Sequence, residues 1–212
     1  LVDDFKQITI MLQYIYNKYI TNNVFVSGGI NPDNLSDYGE FNQVEYDEND
    51  RLSRAERFLT LLGKALVDND FQIYTGFGAG VGNYILSGVL ESKKKNPLNI
   101  DIISNEIHIN SLIGVEDDLK DKIRRRMLGQ CSSTIILFGE SEEKKNSGIT
   151  REYKIASENE NYIIPVRSTG FAARKIYDDL KKRKQLPDDM EFLETEENIK
   201  NKGVKTFNEA IP

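Results

Sequence analysis

The chain is poor in the residues that build covalent frameworks and metal centres: it has one cysteine and one histidine. Cys131 has no second cysteine to pair with, which excludes an intramolecular disulfide framework and fits a reducing, cytoplasmic setting. No cysteine–histidine cluster exists to hold zinc, so no metal site is expected. A Ser-His-Asp set cannot be argued from His108 alone, and that residue, near a strand end, is read as structural. Cys131 flanks an apolar strand with no evident base partner and is read as packing. No apolar run is long enough for a membrane span, and no secretory leader pattern is present, so no membrane association is expected. The net charge of −6 argues against a dedicated nucleic-acid binder.

What is present suits a soluble α/β protein. Of 212 residues, 39% are hydrophobic and 29% charged, enough for a core and a polar surface. Residues 1–20 carry Phe5, Ile8, Leu12, Ile15 and Tyr19 at helical spacing. They are read as an N-terminal helix or linker from a preceding domain, because the chain begins at Leu1 and is expected to be cut from a longer protein. Residues 21–212 are read as one domain. Val24–Val26 is a short strand, followed by a small-residue turn, Ser27-Gly28-Gly29, and a polar loop over 31–50. Arg51–Asp70 is a helix, with Ser53 and Glu56 in capping-box spacing. Strand Phe71–Tyr74, helix Asn83–Lys95, strand Ile100–Ile103 and helix Glu116–Gly129 follow. Thr134–Phe138 is uninterrupted and apolar, as a central strand is. Helix Thr150–Asn159, strand Tyr162–Val166 and helix Gly170–Lys184 complete the pattern. This alternation predicts a Rossmann-like, doubly wound, mainly parallel sheet with helices on both faces, its ligand at the carboxyl ends of the strands.

Three loops fall at those ends. The second is the most informative segment of the chain: Gly76-Phe77-Gly78-Ala79-Gly80-Val81-Gly82, glycine at every second position between a strand and a helix. Glycine lets the backbone approach an anion, and the free N–H groups of the helix start point at its charge. A phosphorylated ligand is expected there. Phe77 has two readings, stacking on a base or packing into the core. In Arg124-Arg125-Arg126, consecutive helix residues diverge by about 100°, so one or two at most reach a single site; Arg124 or Arg125 is the expected phosphate fork. The third loop brings Lys145, which closes over an anion or is a plain surface lysine. Ser147 or Gly148 is expected to present N–H groups to a phosphate, with Thr150 beside them. Glu152 either stabilises its own helix start or accepts from ribose hydroxyls.

Together the loops resemble the SLOG superfamily, which includes the LOG phosphoribohydrolases and DprA-like proteins. Val24–Gly29 is similar to the family's first strand, Tyr74–Gly82 to its glycine loop, and Gly148–Glu152 to its Gly-Thr-x-x-Glu, with Glu152 in the place of the family's glutamate. The family's arginine falls at Arg124, give or take one residue. The family's Pro-Gly-Gly is replaced by Phe138-Gly139-Glu140 plus an inserted Ser141–Asn146, and its threonine by Ile149. That departure implies a site remodelled for a larger nucleotide rather than for hydrolysis. Over roughly residues 20–185 the chain looks most similar to the SLOG domain of Thoeris antiphage effectors. That resemblance implies a regulatory domain, not itself an enzyme, with no cofactor. Its ligand would be a cyclic ADP-ribose isomer made by a TIR-domain protein. The signal would activate a sirtuin-like NAD-hydrolysing domain of the same polypeptide in a homo-oligomer. The alternative is a LOG-like nucleotide phosphoribohydrolase using Glu152 and an arginine.

Overall fold

The computed structural model describes residues 8, 22–30, 48–76, 81–94, 107–110, 112, 114–139, 147–186 and 190. Among them, five strands form one sheet: β1 (Asn23–Gly29), β2 (Gln72–Gly76), β3 (Ile107–Asn110), β4 (Ser133–Phe138) and β5 (Tyr162–Pro165). The order is β3-β2-β1-β4-β5, and every pairing is parallel. The chain first winds outward from β1 to β2 and β3, then returns to the other side of β1 for β4 and β5. The expected doubly wound parallel sheet is what forms. Buried strands β1 and β4 are apolar because helices cover both faces. Pro165 is tolerated because β5 is an edge strand, where a missing N–H costs no ladder bond.

Among the described residues the longer helices are α1 (Glu48–Asp68), α2 (Val81–Lys94), α3 (Asp117–Leu128), α4 (Gly148–Glu158) and α5 (Phe171–Lys182). Successive strand residues face opposite ways, which sorts the core into layers. Val24, Val26, Ile73 and Leu137 pack with Ala55, Leu59, Val81, Ile85 and Val89 of α1 and α2. Phe25 and Tyr74 pack with Met127, Leu128, Ile155 and Ala156 of α3 and α4. Near the other edge, Ala173, Ile176 and Leu180 of α5 join Ile136 and Ile149.

Several boundaries differ from the sequence reading. Ser27, Gly28 and Gly29 are not a turn but the last three residues of β1, paired with Ile136, Leu137 and Phe138. The ladder to β4 holds these small residues extended, a constraint with no local signal. At Gly28 an added Cβ would lie 2.8 Å from the Leu137 carbonyl oxygen and 3.2 Å from Val81 Cγ2. A side chain there would push the start of α2 off the sheet. α1 begins at Glu48, so Ser53 lies inside the helix rather than at its start, and the end of the expected 31–50 loop is helical. The expected strand Ile100–Ile103 and most of the expected helix over 1–20 lie outside the described residues.

Phe138 breaks the strand alternation. It adopts φ +54° and packs with Leu137's layer, its ring 6.4 Å from Phe58 in edge contact. Its N–H donates to Thr169 Oγ1 at 2.8 Å, and that hydroxyl donates to the Val166 carbonyl at 2.7 Å. Thr169 thus pins the end of β4 to the turn after β5. Thr169→Val, which removes both bonds at constant shape, is expected to cost about 1–3 kcal/mol in urea unfolding. Thr169→Ser should stay near the parent; a Val variant as stable as the Ser variant would show that the hydroxyl does not hold this corner.

Candidate functional site at the carboxyl end of the sheet

The strand order reverses between β1 and β4, and ligands in such sheets sit at the carboxyl ends beside that point. Three side chains meet there from three elements. Ser27, next to the end of β1, faces α3 and α4, since it shares the parity of Phe25. Its Oγ donates to Glu152 Oε2 at 2.5 Å. Arg124, from α3, donates through Nε to Glu152 Oε1 at 3.3 Å and through Nη1 to Asp121 Oδ1 at 2.9 Å. Ser27 is 1% exposed, Arg124 7% and Glu152 8%, so the three form a buried polar set. Gly76, at the end of β2, borders the same carboxylate: its Cβ, if present, would lie 3.9 Å from Glu152 Oε1.

The local sequence explains these placements. Arg124 precedes Met127 and Leu128 by three and four residues, so it lies on the stripe that α3 turns to the core. Arg125, one residue on, points away and pairs with Glu158 across the exposed surface at 2.7 Å. On α4, Ser147 is the N-cap: its Oγ accepts from the Thr150 N–H and lies 3.0 Å from Thr150 Oγ1. Because α4 starts at Gly148, Glu152 stands in its second turn, and the reading of Glu152 as a stabiliser of the helix start is corrected. With Ile149, Ile155 and Ala156, it belongs to the buried side of α4.

Burial raises the Glu152 carboxyl above the usual glutamate range, and the Ser27 hydroxyl and Arg124 guanidinium pull the other way. Outside this set the charges continue in a chain. Asp121 also faces Arg151 of α4 at 3.6 Å, and Arg151 reaches Asp117 at 3.9 Å. The guanidinium of Arg124 therefore has Nε on Glu152 and Nη1 on Asp121. Its Nη2 faces the start of α4, where a Cβ on Gly148 would lie 3.2 Å away. A guanidinium edge beside helix N-terminal N–H groups suits an anion, and a carboxylate next to it suits hydroxyl donors.

The structure brings together Ser27, Gly76, Arg124, Gly148 and Glu152, with Gly28 and Gly29 beside them in β1. It places Arg125 elsewhere, spends Ser147 and Thr150 on the cap of α4, and packs the Val81 side chain into the core at 1% exposure. Phe77, Gly78, Gly80 and Lys145 lie outside the described residues. His108 stacks on Tyr74 with centroids 4.4 Å apart, and burial lowers its pKa. Cys131 is buried, donates to the Met127 carbonyl at 3.3 Å, and has its pKa raised by that burial. Sequence reasoning passed over Asp121; its spacing of three from Arg124 on one helix was the available signal.

This architecture defines the class: a Rossmann-like α/β domain with a buried polar set at the switch point. The X-ray structure of TM1055, a Northeast Structural Genomics Consortium target, shares the fold at a TM-score of 0.50 and 17% identity, over 79% of this chain and 86% of that one. The chain belongs to STALD, the Sir2- and TIR-associating SLOG family, whose sequence model matches residues 7–209. It is 32% identical over 180 residues to the NAD(+) hydrolase ThsA of Bacillus cereus (strain MSX-D12), which covers 83% of this chain. It is 27% identical over 184 residues to the NAD(+) hydrolase ThsA of Enterococcus faecium, which covers 84%. In both cases the chain spans only 35% of the relative's length. Among the described residues, no helix is long and apolar enough to cross a membrane.

Proposed function

We propose that this chain is the nucleotide-sensing domain of a cytoplasmic antiphage effector. Its ligand is a cyclic ADP-ribose isomer, and ligand binding activates a sirtuin-like NAD-hydrolysing domain of the same polypeptide within a homo-oligomer. The observation that carries the reading is the buried Ser27–Glu152–Arg124 set at the switch point, in a chain of the STALD family. Arg124 Nη2 and the first N–H groups of α4 take a phosphate, Glu152 takes ribose hydroxyls, and the glycine loop after β2 lets the diphosphate lie against the backbone. The signal acts by binding one conformational or oligomeric state better than another. The relatives' names support the linked activity, since this chain corresponds to about a third of their length.

Calorimetric titration with a cyclic ADP-ribose isomer tests it, with linear ADP-ribose, NAD and AMP as controls. The cyclic compound is expected to bind tightly without turnover. Arg124→Lys keeps a positive charge beside Glu152 but loses the fork, and is expected to weaken binding at least tenfold, about 1.4 kcal/mol. Arg125→Ala should bind as the parent does, because Arg125 is engaged with Glu158 at the surface. No binding of the cyclic compound, with AMP bound or cleaved to free base, would instead make this a LOG-like phosphoribohydrolase using Glu152 and Arg124.

A further inference from the structure

Arg124 is held from two sides, and the second holder stands outside the set that meets Ser27. Asp121 lies one turn before Arg124 on α3 and accepts from Nη1 at 2.9 Å; its own side chain is 43% exposed, whereas that of Arg124 is 8% exposed. A guanidinium is planar, so fixing Nε on Glu152 and Nη1 on Asp121 fixes the direction of Nη2 as well. That third edge is the one facing Gly148 and the start of α4. The Nε contact alone is long, at 3.3 Å, and leaves the plane free to rock about it. The Asp121 contact is shorter and removes that freedom. Arg151, 3.6 Å from the same Asp121 oxygen, restrains the aspartate in turn.

We propose that Asp121 is a positioning residue for the ligand site: it aims Arg124 Nη2 at the anion position above Gly148 without touching ligand itself. This rests on the sensor reading above. It predicts that the acceptor oxygen of residue 121 matters more than its charge. A competing role, in which Asp121 occupies Arg124 in place of ligand phosphate, predicts the opposite sign.

The test compares Asp121→Ala and Asp121→Asn in the 212-residue chain. Titration uses the same cyclic ADP-ribose isomer, and circular dichroism checks the fold. Asp121→Ala is expected to lose affinity about tenfold or more, whereas Asp121→Asn, which keeps a carbonyl oxygen in place, stays within about threefold of the parent. A second readout needs no ligand. The Arg124 Nε–H proton in nitrogen-edited NMR is expected to exchange slowly with water in the parent and in Asp121→Asn, and fast in Asp121→Ala. Affinity that is unchanged or improved in Asp121→Ala overturns the proposal and makes Asp121 a competitor or a bystander. Equal losses in both folded variants overturn it in favour of charge. Should the parent bind none of the nucleotides, the sensor reading falls. The exchange measurement then decides the positioning role alone, and an unchanged Arg124 signal in Asp121→Ala ends it.

Discussion

Gly88→Ala is expected to destabilise the protein by about 3 kcal/mol and to lower its melting temperature by roughly 10 °C. On helix propensity alone the sign would be opposite: alanine in a helix interior is favoured over glycine by about 1 kcal/mol. Packing reverses it. A Cβ at Gly88 would lie 1.9 Å from the Thr60 carbonyl oxygen and 2.7 Å from the Lys64 nitrogen. At Gly63 it would lie 2.3 Å from the Ile85 carbonyl oxygen. These neighbours are backbone of the facing helix, so no rotamer change relieves the clash; α1 and α2 must separate. Their separation also breaks the bonds that line the same seam, from Tyr84 to Glu56 and from Ser92 to Asp68. Thermal and urea unfolding would measure the effect, with the exposed neighbour change Ser87→Ala as a control expected to stay within about 0.5 kcal/mol. A Gly88→Ala variant as stable as the parent would mean that the helix pair opens at little cost. The contact bears on the site as well, because α2 starts at Val81, which is seated on Gly28 at the end of β1.

The seam illustrates which parts of the fold were legible. Residues that repeat at helical spacing announce α1, α3 and α5 to within a few positions, because burial on one face writes a period into the sequence. The apolar run of β4 announces a strand covered on both sides. Gly63 and Gly88 announce nothing, since a glycine in a helix looks the same whether it meets solvent or another backbone. Ser27–Gly29 reads as a turn by composition, yet pairing with β4 makes it strand. β3 was missed because Ile-His-Ile-Asn is short and half-polar, as an edge strand with partial burial can afford to be. At the site, the residue types and Glu152 were visible, but the 125-residue span of the Ser27–Glu152 bond is fixed only by the strand order. The choice among Arg124, Arg125 and Arg126 could have been made from the three- and four-residue spacing to Met127 and Leu128. The carboxylate on the other side of Arg124, Asp121, was signalled only by its spacing of three on the same helix.

Arg124→Ala is expected to cost stability as well as binding, by about 3–5 kcal/mol near neutral pH, because it leaves a buried carboxylate without its cation. The sign with pH follows from Glu152. Burial raises its folded-state pKa above the unfolded value. Its contribution is therefore fully present below the unfolded glutamate range, about 4.3, and is lost as pH rises through the folded pKa. In the parent, Ser27 and Arg124 limit that loss. In Arg124→Ala only Ser27 remains, so stability should fall more steeply as pH rises, and the gap to the parent should narrow on acidification. Glu152→Gln removes the titration and is expected to flatten the profile. It would be neutral or stabilising in the ligand-free chain while impairing the recognition of ribose hydroxyls. The double variant should recover much of what Arg124→Ala loses, since no buried charge is left unpaired, and the cycle of the four proteins measures the coupling directly. Urea unfolding across pH would show it. An Arg124→Ala profile parallel to that of the parent would mean that Glu152 is already protonated at neutral pH and that Arg124 is held chiefly by Asp121. A carboxylate kept buried at a stability cost is what a binding site requires and a structural core does not, so the same measurement separates a site selected for its ligand from a polar contact selected for the fold.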